Sequence, residues 1–167
     1  NGNEGLKNHN YFDKEKYKAK FEIIWKKLQD MHLVKKDLIH IRNSDLFKYS
    51  PYKALTEDQI SVCVDLFTKI KSGSEETFII NGKPGTGKTI LAVYLVKYLK
   101  EQEETKHLEV ALVVPMTQLR GTIRKVFSKV KGLKSSMVIG PNDVTKKKYD
   151  ILIVDEAHRL KQRKNIT

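Results

Sequence analysis

The stretch Gly82-Lys83-Pro84-Gly85-Thr86-Gly87-Lys88-Thr89 constrains this 167-residue chain more than any other. Its glycines and proline exclude regular helix or strand there. The apolar run Thr77 to Asn81 just before it reads as a short buried strand. Residues Thr89 to Glu104 just after it read as a helix with a wide apolar face and an acidic, exposed far end. A glycine loop that leaves a strand and opens a helix lets backbone amides turn inward around an anion, and the helix N-terminus adds partial positive charge. The spacing G-x-x-x-x-G-K-[ST] is unbroken, so the expected anion is the phosphate tail of a nucleotide. Gly82, Pro84, Gly85, Thr86 and Gly87 would shape the cradle. Lys88 would bring a mobile positive charge to the β and γ phosphates, and the Thr89 hydroxyl would take one position on Mg2+.

A second motif narrows the chemistry. Sixty-seven residues after Lys88 lies Asp155, at the end of the apolar run Asp150 to Val154 and followed by Glu156-Ala157-His158. A buried strand there would deliver two adjacent carboxylates at the sheet edge where open α/β sheets bind ligands. Asp155 would hold Mg2+ through water, and Glu156 would orient or deprotonate the water that attacks the γ phosphate. The pair converts an expectation of nucleotide binding into one of ATP hydrolysis, with Glu156 and Lys88 as the catalytic residues and Thr89 and Asp155 as the metal pair. His158 is a candidate to couple this site to a bound polymer, or else a surface residue.

The rest of the chain organises around these motifs. Tyr17, Phe21, Ile24, Trp25, Leu28 and Met31 recur at helical spacing between Asp13 and Met31 and predict a docking helix. Residues 33 to 55 read as a connector with aromatic anchors at Phe47, Tyr49 and Tyr52. Thr56-Glu57-Asp58-Gln59 has the form of a capping box and predicts a helix from Thr56 to about Lys71. Strands are expected at Glu109 to Val114, Met137 to Ile139 and Asp150 to Val154. Between the first two, a helix should hold Leu119, Ile123, Val126 and Phe127 inward and Arg120, Arg124 and Lys125 outward. Strands alternating with helices indicate an α/β domain with a parallel sheet flanked by helices. The expected division is an N-terminal helical extension and connector over 1–54 and the nucleotide-binding domain over 55–167.

Charge and composition set the setting. The net charge is +12, and residues 117 to 167 carry 13 basic against 4 acidic side chains. That asymmetry suits a polyanion such as nucleic acid, or a well-solvated basic surface. The longest apolar run, Ile90 to Val96, is far short of the roughly 20 residues that cross a bilayer. The single cysteine, Cys63, fits a small core residue in a reducing, cytoplasmic setting. His9, His32, His40 and His107 lack metal-ligand spacing, and Lys146-Lys147-Lys148 fits a solvated loop.

Asp155-Glu156-Ala157-His158 resembles motif II of helicase-type ATPases, and Leu55-Thr56-Glu57-Asp58-Gln59 resembles the Q motif of superfamily 1 helicases. The latter resemblance implies that Gln59 reads the adenine edge, whereas its place in the capping box implies a structural role. Val114-Pro115-Met116-Thr117-Gln118-Leu119 resembles motif Ia, which implies contacts to the backbone of a single strand by Thr117, Gln118 and the basic face Arg120, Arg124 and Lys125. Together with Phe47-Lys48-Tyr49-Ser50-Pro51-Tyr52-Lys53, these motifs resemble a prokaryotic family of helicase-like ATPases related to the Schlafen ATPase region, often fused to nuclease modules. The resemblance covers residues 45 to 162. It implies a RecA-like P-loop fold, here lacking everything after motif II, with ATP and Mg2+ as ligands and single-stranded DNA or RNA as partner. It also implies a strand between the loop strand and the acid strand, supplied by a downstream segment or a second chain unless the sheet pairs in another order, and, with the arginine fingers lying beyond motif II, negligible turnover by this chain alone. Two other readings share the loop: an AAA-type regulatory ATPase, and a nucleotide-gated nucleic-acid-binding module that does not unwind.

Overall fold

The computed structural model describes residues 14–52, 55–73 and 76–160. The chain divides into two compact units, one up to Ser44 and one from Asp45.

In the first unit α1, Lys14–Asp30, is helical where helical spacing predicted it. Its apolar stripe stays largely exposed at Tyr17, Phe21 and Ile24. Trp25 and Leu28 are half-buried, and the Trp25 indole N–H donates to the Lys36 carbonyl at 3.0 Å. The expected connector contains helix: α2, Leu38–Asn43, starts at Asp37, whose carboxylate accepts from the His40 backbone N–H. An aspartate before a short apolar stretch is an N-cap signal, hidden here by the shortness of the helix.

The second unit opens with α3, the single turn Asp45–Lys48. Of the three aromatic anchors, Tyr49 packs on the core, while Phe47 and Tyr52 are exposed. Helix α4, Glu57–Lys71, is fixed at its start by the capping box, in which the Thr56 hydroxyl accepts from Gln59 N–H and the Gln59 carbonyl oxygen accepts from Thr56 N–H. Helix α5, Lys88–Glu101, follows the glycine loop. Then come β1, Val110–Val113; α6, Thr117–Phe127; β2, Val138–Ile139; and β3, Ile151–Val154.

The three strands form a parallel sheet in the order β2-β1-β3, with Val110 beside Ile151 and Leu112 beside Val138. Alternate residues of β1 face opposite layers. Leu112 and Val110 join the main core with Leu91, Val96 and Leu99 of α5 and Ile123, Val126 and Phe127 of α6. Ala111 and Val113 lie on the other face under Val144 and Tyr149. Burial on both faces explains why β1 is an unbroken apolar run.

Two expectations about the sheet need correction. Residues 76–83 form no helix or strand, and Ile79 is 81% exposed, with Phe78 alone half-buried among Thr77 to Asn81. Nor is β3 fully buried: it is an edge strand, and Leu152 and Val154 are 42% and 37% exposed. The reason is common to both. Among the described residues β3 pairs only with β1, and none of them bridges its open side to the segment that precedes the loop.

Candidate functional site

The glycine loop is built by short-range bonds. The Thr86 backbone N–H and its hydroxyl both donate to the Lys83 carbonyl, at 3.3 and 2.9 Å, closing a turn with Pro84 and Gly85 at its tip. Gly85 and Gly87 both sit at φ +79, the left-handed region that side chains with a Cβ rarely adopt. Gly87 is the N-cap of α5, so the helix begins at Lys88 with its first amides uncapped by any side chain. A helix end of this kind presents donors and positive potential. The Lys88 ammonium folds over the loop and donates to the carbonyls of Gly82 and Lys83 at 2.9 and 3.1 Å.

The two motifs named from sequence are brought together. The Thr89 hydroxyl, on the first turn of α5, donates to a carboxylate oxygen of Asp155 at 2.8 Å, across 66 residues of chain. Asp155 is held at the end of β3 by its backbone N–H, which donates to the Val113 carbonyl at 3.0 Å. It is 4% exposed. Burial pushes its carboxyl above the usual carboxylate range and the Glu156 charge adds to this, while the Thr89 hydroxyl and the Lys88 charge pull the other way. The site is thus two hard oxygen donors with an ammonium close by. Among the described residues no group of three or more His, Cys, Asp or Glu side chains gathers to hold a metal.

Glu156 follows at φ +51, a left-handed backbone position. Its carboxylate lies 3.3 Å from His158 Nε2 and 3.9 Å from Arg159 Nε. The structure therefore places His158 against the candidate base, a contact that the linear motif did not specify.

Gln59 reaches the loop as well. Its side-chain N–H donates to the Thr86 carbonyl at 2.8 Å while its oxygen stays in the capping box. A Cβ on Gly87 would stand 2.9 Å from that nitrogen.

The residues singled out for a polyanion fall into two groups. Gln118 and Lys125 are exposed on α6. The guanidinium of Arg120 turns back instead, donating to the Val114 carbonyl at 2.9 Å and to the Thr117 hydroxyl at 3.2 Å. Arg124 Nε donates to the Val138 carbonyl at 2.8 Å. These bonds satisfy the carbonyl just past the C-terminal end of β1 and that of the first residue of β2, a task that helical periodicity does not reveal. The lysine run is partly neutralised, with Lys146 paired to Asp143 and Lys147 to Glu109 at 2.6 Å.

Sequence reasoning also missed Lys97. It is 5% exposed on the buried side of α5, donates to the Lys131 carbonyl at 2.7 Å, pairs with Glu101 and lies 5.7 Å from the Tyr52 ring centre. A lysine ending the apolar run Ile90 to Val96 was the available signal, since α-helical spacing puts it one turn beyond Val93, which is fully buried.

Comparison with known proteins adds one finding. The family described as Schlafen group 3, DNA/RNA helicase domain, matches residues 75–167. No curated protein and no solved structure matches the chain. The matched stretch contains the glycine loop, α5, α6 and the Asp155-Glu156 pair, and begins after Gln59. With more than half its length matched, the chain belongs to the Schlafen group 3 DNA/RNA helicase domain family.

Proposed function

We propose that this chain is the nucleotide-binding part of a superfamily 1 type, RecA-like helicase ATPase, which binds Mg·ATP at residues 82–89 and couples its hydrolysis to single-stranded nucleic acid. The 2.8 Å bond between the Thr89 hydroxyl and Asp155 carries this reading. Mg2+ prefers one or two protein oxygens and takes its remaining ligands from phosphates and water, so this donor set fits it. When bound, the ion would neutralise charge developing between the β and γ phosphates.

The chain's own groups do the rest. Loop amides and the start of α5 bind the phosphates. Lys88 exchanges the carbonyls of Gly82 and Lys83 for phosphate oxygens, its ammonium already poised over the loop. Glu156 accepts a proton from the attacking water, and His158 and Arg159 hold its carboxylate in place. Family membership and the positive charge of the last third support nucleic acid as the polymer, with Thr117, Gln118, Arg124 and Lys125 exposed on α6 and Arg120 half-buried beside them. The exposed apolar side of β3 supports completion of the sheet by a further strand, from a downstream helicase-core segment or a second chain.

Calorimetric titration with Mg·ATP tests the core of the proposal. Wild type should bind, Lys88→Ala should weaken binding more than tenfold, and Thr89→Ala should remove most of the dependence on Mg2+. Equal affinity for wild type and Lys88→Ala would refute it.

A further inference from the structure

Gln59 is committed at both ends of its side-chain amide. The oxygen accepts from Thr56 N–H at 3.0 Å, closing the capping box of α4, and the nitrogen donates to the Thr86 carbonyl at 2.8 Å. The assignment of oxygen and nitrogen is fixed by these partners, since one is a donor and the other an acceptor. A side chain that reads adenine has to present its oxygen and nitrogen together to one base edge, and here they are turned to two different backbone groups.

The second bond acts on the loop in a definite way. The Thr86 carbonyl and the Gly87 N–H belong to one planar trans peptide and point in opposite directions. Holding the carbonyl toward α4 therefore fixes the direction of the Gly87 N–H, an amide of the loop itself. Gly87 is the residue that makes the approach possible, because a Cβ there would stand 2.9 Å from the Gln59 nitrogen and its φ of +79 is one that residues with a Cβ rarely adopt. The capping box in turn fixes where Gln59 stands, at the third residue of a helix whose Cys63 and Leu66 are in the core.

Resting on the reading of residues 82–89 as a phosphate loop, we propose that Gln59 is a positioning residue that sets the loop for the phosphate chain whatever the base, rather than a reader of adenine. It transmits the rigidity of α4 to the Thr86-Gly87 peptide.

Mg·ATP, Mg·GTP and Mg·tripolyphosphate, which has no base, separate the possibilities when titrated into the full chain. Gln59→Ala removes both bonds without adding charge, and Gln59→Glu keeps the acceptor for Thr56 N–H and loses the donor to Thr86. Gln59→Ala should weaken all three ligands by a common factor of about three to ten, the range for loss of one neutral hydrogen bond, Gln59→Glu should weaken them further because its carboxylate repels phosphate, and both should leave the ATP to GTP ratio within about twofold of wild type. Thr56→Ala, which weakens only the cap, should lower the melting temperature and leave tripolyphosphate affinity unchanged. Loss of ATP affinity alone, with tripolyphosphate unaffected, would overturn the proposal in favour of adenine reading. Unchanged affinity for all three would reduce Gln59 to a helix cap. Wild-type tripolyphosphate binding by Lys88→Ala would instead bring down the phosphate-loop reading on which the proposal rests.

Discussion

Lys97 offers a measurement in which stem and head of one buried side chain separate. Lys97→Ala removes three methylenes from a site 5% exposed, at about 0.8 kcal/mol each, or about 2.4 kcal/mol. It also removes the charged donor to the Lys131 carbonyl, a bond of 2.7 Å, at about 1.5 to 3 kcal/mol. The expected loss is about 4 to 5 kcal/mol, a large part of the roughly 5 to 15 kcal/mol that stabilises a domain. Lys97→Met keeps a stem of similar length and loses only the head. Release of the ammonium's desolvation cost offsets part of the lost bond, so the expected loss is under about 2 kcal/mol. Urea unfolding followed by far-ultraviolet circular dichroism reads both, with the slope held constant as the sign that the unfolded state is unaltered. Equal losses in the two variants would refute the argument that the stem dominates. A loss below about 1 kcal/mol in Lys97→Ala would show that the site relaxes around the deletion.

Other outcomes follow from the site and core. On the proposed function, Glu156→Gln should keep Mg·ATP bound, because Asp155 and Thr89 are untouched, and should lose the phosphate release that wild type shows in a steady-state assay with single-stranded nucleic acid. Burial pushes the Cys63 thiol up to about 11, so a thiol-specific chromogenic disulfide at pH 8 should leave it unmodified until denaturant is added. The same shift makes folding stability, complete below about pH 9, decline as pH rises toward 11, since the unfolded thiol ionises first. Arg124→Gln should lower the melting temperature by leaving the Val138 carbonyl without its charged donor, whereas Lys125→Gln should not; equal melts would remove the structural role given to Arg124.

What the sequence disclosed and what it hid divide by the range of the interaction. The glycine loop, the capping box at Thr56 and Gln59, helices α1, α4, α5 and α6 and the cores of all three strands were legible, because each is written in neighbours a few residues apart. The failure at Thr77 to Asn81 is of another kind. Its apolar pattern is sound for a strand, but a strand exists only where another chain segment pairs with it, and among the described residues none does. The half-exposed faces of Leu152 and Val154 have the same origin. At the site, the Asp155 carboxylate was legible as a partner of the loop, while the Gln59 bond to Thr86, 27 residues away, was not. Nor were the turned-back guanidinium groups of Arg120 and Arg124, since a basic residue on a helix face reads as solvent-facing whether or not a carbonyl lies within its reach.

The left-handed backbone at Glu156 bears on evolvability. A residue with a branched-off Cβ at φ +51 and ψ +47 costs on the order of 1 kcal/mol relative to glycine or asparagine, which occupy that region readily. Glu156→Gly should therefore raise the melting temperature while emptying the position of its carboxylate. Random selection for thermal robustness alone would drift toward that replacement, and, on the role proposed for Glu156, a screen that scored stability without turnover would enrich molecules lacking the base at this one site. The local backbone has traded rigidity for a charged group that its own geometry disfavours, and that trade would be visible as a stabilised, silent variant.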